Sequence, residues 1–247
     1  MLALLDGDIV AYRCSASAES EEHWIAVART RDLVEQIVAE TDANEYIVFL
    51  SGPNNFRYDI YPAYKANRNR SLTPRHLNVC RDYLVREWEA QVTIGCEADD
   101  ALAMAQTDGS IICSIDKDLK QIPGKHYNFV KREFDEVSEE RGIRTFYESM
   151  LIGDRADNIK GVPGIGLAKA PRILEGCKTE AEMFNVVRDM YGNDDEMLLN
   201  GQLLWLWRTE NDKWTFDRVK NTKQEPGQTL ESMQSTVAET SPFTVLT

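Results

Sequence analysis

Histidine is scarce in this 247-residue chain: three are present, at positions 23, 76 and 126, too scattered to form a ligand set. Cysteine is sparse as well. The five cysteines (14, 80, 96, 113 and 177) are odd in number, widely spaced and without a CxxC pair. This argues against a disulfide framework or a zinc site and for a reducing cytoplasm. Long apolar runs are missing. The longest are about five residues, such as Tyr46 to Leu50, whereas a membrane span takes roughly 20. Aspartate at position 6 interrupts the N-terminal MLALL too early for the apolar core of a secretory leader. An excess of positive charge is also absent: 28 Lys and Arg stand against 41 Asp and Glu, a net charge of −13. Read as a bulk number, that excludes a nucleic-acid binder. What is present is 43% apolar and 28% charged residues, enough for one large core or two small ones and far from wholesale disorder.

The acids are not evenly spread. Nine of them fall in compact groups: Asp6 and Asp8; Glu97, Asp99 and Asp100; Asp116 and Asp118; Asp154; and Asp157. Without these the chain is close to neutral, so the average charge says little about the remaining surface if the nine surround divalent cations.

Strand and helix signals alternate through the first 130 residues. Leu2–Leu5, Tyr46–Leu50, Ser110–Ile115 and Tyr127–Val130 read as strands. Trp24–Thr41, Leu72–Glu89 (Thr73 as N-cap, Pro74 in the first turn), Ala98–Gln106 and a short helix opened by Lys117 read as helices. Such alternation predicts an α/β fold, a parallel sheet with helices on both faces. From about Thr145 the pattern is helical only, interrupted by the glycine-rich turn GVPGIG. This predicts a helical lobe over 145–215, with Trp205 and Trp207 in a buried helix that anchors it, followed by a flexible tail over 216–247 rich in Ser, Thr, Gln and Glu.

In a parallel sheet, ligands bind at the carboxyl ends of the strands. Asp6 follows the first strand and Asp116 the third, so both lie on one rim. Glu97, Asp99 and Asp100 open a helix, and Asp154 and Asp157 are three apart, on one side of a helical turn. Taken singly, each is a cap or a solvated acid. Together they would repel unless cations or protons compensate. With oxygen donors only, the expected ions are magnesium or manganese. Two such ions suit phosphate-ester hydrolysis, activating a water and stabilising the leaving oxygen.

Two further segments bear on which ester. Phe56-Arg57 and Tyr61-Pro62-Ala63-Tyr64-Lys65-Ala66-Asn67-Arg68 interleave aromatics with bases, and Ile60 to Arg75 holds four Lys/Arg and no acid. That composition suits phosphate contact with base stacking. Gly161-Val162-Pro163-Gly164-Ile165-Gly166, followed by Lys169, reads as a hairpin between two short helices, able to approach a phosphate closely.

The ordered set LLDGD, FRYDIYPAYKANR, GCEADD, SIDKDL and IGDRADNIKGVPGIG resembles the structure-specific 5′-nucleases, the flap endonucleases and 5′→3′ exonucleases. It is most similar to bacteriophage members and to the 5′-nuclease domain of bacterial DNA polymerase I. The resemblance spans Met1 to about Leu174 and less clearly to Arg208. It implies a PIN-like, metal-dependent nuclease domain over 1–144, with an arch or gateway over 55–90. It also implies a C-terminal lobe carrying a helix-hairpin-helix-type DNA-binding motif. Asp6, Glu97, Asp99, Asp100, Asp116, Asp118, Asp154 and Asp157 match the family's metal-ligand and outer carboxylates. Lys65 and Arg68 match the basic pair that approaches the scissile phosphate. Arg57, Tyr64, Lys65, Arg68, Gly161, Gly164, Gly166 and Lys169 are the expected DNA contacts. The backbone carbonyls of Val162 and Ile165 are the expected seat of a monovalent cation such as potassium. The implied partner is DNA with a free 5′ end or a 5′ flap, cut to 5′-phosphate and 3′-hydroxyl products. The implied setting is phage DNA replication or repair, by a stand-alone monomer in the host cytoplasm.

Two features depart from the family pattern. Pro171 falls where the helix after the hairpin usually continues, which is tolerable in a first turn. Leu50-Ser51 stands where the family usually carries an aspartate at the end of a strand. The alternative is therefore a catalytically impaired DNA-binding module of the same fold. Asp6-Gly7-Asp8 also suits a haloacid-dehalogenase phosphatase with Asp6 as nucleophile, but Gly153-Asp154-Arg155-Ala156-Asp157 is one residue short of that family's late motif. A PIN-class RNase is usually shorter and lacks the 145–215 lobe.

Overall fold

The computed structural model describes residues 1–69 and 72–221. Its centre is a six-stranded sheet built from β1 (Leu2–Asp6), β2 (Glu45–Leu50), β3 (Gln91–Val92), β4 (Ser110–Cys113), β5 (Gly124–Asn128) and β6 (Glu133–Val137), in the order β3-β2-β1-β4-β5-β6. All neighbours are parallel except β6, which runs antiparallel to β5. Side chains of the three central strands alternate between two cores, as strand pleating requires. Ala3, Leu5, Val48, Leu50, Ile111 and Cys113 pack under α1 (Gly7–Ser17), α2 (His23–Glu40) and α4 (Leu77–Glu87). Leu4, Phe49 and Ile112 pack under α5 (Ala98–Ala105). The short α3 (Phe56–Ile60) leads from β2 towards α4. All five cysteines are buried and free. No helix among the described residues is long and apolar enough to cross a membrane.

The second part begins at α6 (Glu139–Ile152), capped by Ser138, whose Oγ accepts from the Arg141 N–H at 3.2 Å. The two-residue strands β7 (Gly153–Asp154) and β8 (Ile159–Lys160) pair antiparallel, and α7 (Ala170–Leu174), α8 (Glu180–Tyr191), α9 (Asp194–Leu204) and α10 (Phe216–Asn221) follow. Its core centres on Phe146, set edge-on to Trp205 with ring centroids 4.9 Å apart, and on Trp214, which is fully buried.

Several sequence expectations change here. Helix α1 carries no clear helical signal in the sequence, because Gly-Asp and two serines within it dilute its apolar face; its start is set by Asp6, which accepts the Ile9 N–H at 3.0 Å. Helix α4 begins at Leu77 rather than near Thr73, and β5 begins at Gly124 rather than Tyr127. Strand β6 lacks an apolar strand pattern because it is a charged edge strand, EFDEV. The region after Thr145 is not purely helical: the β7–β8 ribbon, not a short helix, precedes the glycine-rich hairpin. Trp205 and Trp207 are buried but lie just beyond α9. Residues 216–221 form α10 rather than the start of a flexible tail; the rest of the expected tail lies outside the described residues.

His126 on β5 is buried 3% exposed, with ring Nε2 donating to the Ile122 carbonyl at 2.7 Å. Burial pushes its pKa down to about 4. The unfolded chain therefore takes up the proton first, below a pKa of about 6.5. The contribution of neutral His126 is complete above that value and is lost as pH falls towards 4, about 3 kcal/mol in all. Unfolding in denaturant at pH 7 and pH 4.5 should show this as a difference between wild type and His126→Gln. If the two lose stability in parallel, His126 is not the acid-sensitive group.

Candidate active site

The carboxyl ends of β1, β2 and β4 meet the N-termini of α1 and α5 around a cleft of about 460 Å³. Its lining includes Asp6, Asp8, Ser51, Lys65, Arg68, Arg81, Glu97, Asp99 and Asp116. Gly7 makes the corner possible: a Cβ there would stand 2.6 Å from the Phe49 carbonyl oxygen, so only glycine lets α1 start directly against β2. Asp6 is held from two sides, accepting from Ile9 N–H and, at 2.7 Å, from the Ser114 hydroxyl. Ser114 Oγ also accepts the Asp116 N–H at 3.0 Å, and Asp116 accepts the Asp118 N–H at 2.8 Å. Ser114, the first residue of SIDKDL but not among the expected site residues, thus joins the β1 and β4 acids.

The acids repel one another across the cleft. Burial pushes Asp6 up to about 7, reinforced by Asp8 and Asp116. Asp99 is held well above the usual carboxylate range, by burial first and then by Asp6, Asp116 and Glu97. Asp116 is raised by burial, with Asp154 and Asp157 adding to it, and Asp118 rises to about 6 for the same reasons. The mutual influence shows that the β1, α5, β4 and 154–157 acids converge, although they are far apart in sequence. A dication would offset this repulsion and restore full ionisation. The donors are all oxygen, which fits magnesium or manganese. Asp6, Glu97, Asp99, Asp116, Asp118, Asp154 and Asp157 are the side chains able to serve. Among the described residues, no group of three or more Asp, Glu, His or Cys is arranged as it stands to hold an ion, and two of these acids, Glu97 and Asp157, pair with lysine, arginine or tyrosine.

The 61–69 segment supplies those partners. Tyr64 Oη lies 2.7 Å from Asp157 and 2.9 Å from Glu97, and Lys65 Nζ pairs with Glu97 and lies 3.7 Å from Asp157. Arg68 pairs with Asp157 at 2.5 Å. The Lys65 N–H donates to the Asp157 carbonyl at 3.0 Å, and Asn158 Nδ2 to the Ala63 carbonyl at 2.8 Å, docking this segment on the acidic turn. Lys65 has a φ of +55°, a costly conformation for a side-chain-bearing residue, held by these bonds.

Three expected site residues stand elsewhere. Asp100 is fully buried, bound through both oxygens to Arg57 at 2.6 and 2.9 Å, and also accepts the N–H groups of Glu97 and Trp207. Its lone pairs are spent on structure rather than offered to the cleft. Arg57 is 2% exposed and also donates to the carbonyls of Leu203 and Trp205, which removes it from any DNA surface. Tyr64 is likewise buried, so its ring does not face the solvent for stacking. The signal for Arg57 was present in the sequence as a base with no way to know its partner.

The glycine-rich hairpin forms a separate feature. Gly153 (φ +72°) and Gly161 cross so closely that a Cβ on Gly153 would stand 2.2 Å from the Gly161 nitrogen; Gly161 is thus a packing glycine. Gly164 and Gly166 are open. Lys169 Nζ donates to the Gly164 carbonyl at 2.9 Å. The Val162 carbonyl accepts the Ile165 N–H at 3.1 Å.

Residues 1–148 match the model of the 5′-3′ exonuclease, N-terminal resolvase-like domain. Over 166 residues, 59% of its length, the chain is 33% identical to DNA polymerase I of Rhizobium leguminosarum, of which it spans 16%. It is 29% identical to the flap endonuclease Xni of Shewanella pealeana, covering 54% of this chain and 59% of that protein. The T5 5′-exonuclease, solved with zinc, shares the fold with a TM-score of 0.65 at 17% identity over 82% of this chain and 88% of that one. The T5 flap endonuclease in complex with DNA and metal ions gives 0.57 at 18% identity over 81% and 88%. The chain therefore belongs to the 5′-3′ exonuclease family defined by the N-terminal resolvase-like domain.

Proposed function

We propose that this chain is a divalent-metal-dependent 5′-nuclease that hydrolyses DNA phosphodiesters at a free 5′ end or flap, leaving 5′-phosphate and 3′-hydroxyl ends. The observation that carries this reading is the convergence of mutually repelling, oxygen-only acids on one sheet rim with Lys65 and Arg68 at the same cleft. The names of the T5 and Shewanella relatives support it. Two magnesium or manganese ions, when bound, would activate the attacking water and stabilise the leaving oxygen. Asp6, Asp99 and Asp116 would hold them at the strand ends, with Glu97, Asp118, Asp154 and Asp157 around them. Lys65 and Arg68, released from Glu97 and Asp157, would offset charge on the phosphate in the transition state. The hairpin, with Lys169 and the open Gly164 and Gly166, would grip the duplex. A potassium ion at the carbonyls of Val162 and Ile165 belongs to the same proposal; Val162 keeps one lone pair for it. DNA replication or repair, in a phage-infected cell, is the setting we infer.

A 5′-flap DNA labelled at both ends, incubated with magnesium, manganese or chelator, tests the proposal. Short fragments released near the junction only with metal are expected. Binding without cleavage in either metal would overturn it in favour of an impaired DNA-binding module, with Ser51 as the mark. Lys65→Ala should slow turnover about 100-fold while duplex affinity changes little; an unchanged single-turnover rate would reject a role for Lys65 at the phosphate.

A further inference from the structure

Arg81, in the middle of α4, lines the cleft together with Lys65 and Arg68, yet no motif singled it out. Each of these three bases rests on a carboxylate: Lys65 on Glu97, Arg68 on Asp157, and Arg81 on Asp8. The Arg81 pair is partly open to solvent, with side chains 27% and 29% exposed, so an anion in the cleft can reach the guanidinium. Asp8 does not depend on Arg81 alone, since its second oxygen accepts the Ser51 N–H at 2.8 Å. Arg81 in turn keeps a second anchor, donating through Nη2 to the Ser51 carbonyl at 2.6 Å. A guanidinium has five donors in a planar fork that suits phosphate oxygens, and these two bonds leave three of them.

We propose that Arg81 is a phosphate-binding residue for the DNA strand in this cleft, held on Asp8 in the DNA-free protein and exchanging that carboxylate for a phosphodiester oxygen when DNA binds. The Ser51 carbonyl keeps the guanidinium aimed during the exchange, and the Ser51 N–H keeps Asp8 hydrogen-bonded after it. The cleft then meets the phosphate backbone from α4 as well as from the 61–69 segment. This assignment rests on the nuclease reading above.

The test is fluorescence anisotropy with a 5′-phosphorylated hairpin DNA bearing a 5′ single-stranded arm, in EDTA, over a salt series. Wild type, Arg81→Gln, Arg81→Lys, Asp8→Asn and the Asp8→Asn/Arg81→Gln double variant are compared. Arg81→Gln should raise Kd about tenfold and lower the slope of log Kd against log salt by about 0.7–0.9, the loss of one phosphate contact, with Arg81→Lys keeping most of the slope. Asp8→Asn frees the guanidinium and should tighten binding several-fold, a gain absent from the double variant relative to Arg81→Gln. A slope unchanged in Arg81→Gln, or the same gain from Asp8→Asn in both backgrounds, overturns the assignment while leaving the nuclease reading in place. Should Arg81→Gln not fold, an Asp8→Asn affinity equal to wild type overturns it. Wild type that binds no DNA overturns the nuclease reading itself.

Discussion

Asp116→Asn is expected to reduce DNA cleavage by about a thousandfold or more while leaving DNA binding in chelator intact. Asp116 occupies the middle of the acidic set: it raises Asp6 and Asp99 on one side and is itself raised by Asp154 and Asp157 on the other. Amide in place of carboxylate removes a charged oxygen donor from the centre of the proposed ion site. An ion in such a site supplies several kcal/mol of transition-state stabilisation, and each 1.36 kcal/mol is tenfold in rate. The fold should not suffer. Removing one of several repelling charges leaves the metal-free melting temperature unchanged or higher, and the rise in melting temperature on adding manganese should shrink. Rapid-quench cleavage and thermal melts with and without manganese check both halves. Full activity would remove Asp116 from the metal assignment. Lost activity together with a lower metal-free melting temperature would mark a folding defect instead.

Arg57→Ala is expected to destabilise the protein by about 3–5 kcal/mol, because it leaves the fully buried Asp100 carboxyl without its guanidinium partner. In a chain of this size that corresponds to a fall in melting temperature on the order of 10 °C. The damage reaches beyond the pair. Arg57 also ties α3 to the carbonyls of Leu203 and Trp205, and the Asp100 helix carries Glu97 and Asp99. The loss should therefore loosen the packing of the sheet domain against the 203–207 segment and slow cleavage too. A hydrophobic replacement of both partners, Arg57→Met with Asp100→Leu, should recover only the part of the loss that comes from the unpaired charge, since the Glu97 and Trp207 N–H groups and the Leu203 and Trp205 carbonyls then lack their partners. Calorimetry of wild type and the two variants decides it. A single variant within about 1 kcal/mol of wild type would show that water reaches Asp100 and that the pair is not the bolt its burial implies.

Legibility in the sequence followed the kind of signal. The central strands were readable because β1, β2 and β4 are apolar runs buried on both faces, and the long helix α2 because its apolar positions recur at helical spacing. Short or charged elements were not: β3 has two residues, β6 is acidic, and α1 mixes Ile9, Val10 and Tyr12 with Gly, Asp, Arg and Ser so that no clean apolar stripe shows, its start being set by Asp6 as cap. The ribbon 153–160 escaped because two-residue strands have no periodicity to detect, and only the crossing of Gly153 over Gly161 reveals them.

The sequence by itself determined the central parallel strands β1, β2 and β4, the set of acids and the family motifs, since the ends of β1 and β4 place Asp6 and Asp116 on one rim whatever the remaining chain does. Only the tertiary structure decided which charges face the cleft. Arg57 and Asp100 are each one more charge in a motif until packing removes both from water. Once buried, each must find the other, and neither remains free for metal or DNA. Arg81 is one more base on an amphipathic helix until the start of α1 brings Asp8 beneath it. Pairing between groups distant in the chain is set by burial and geometry, which no local spacing encodes.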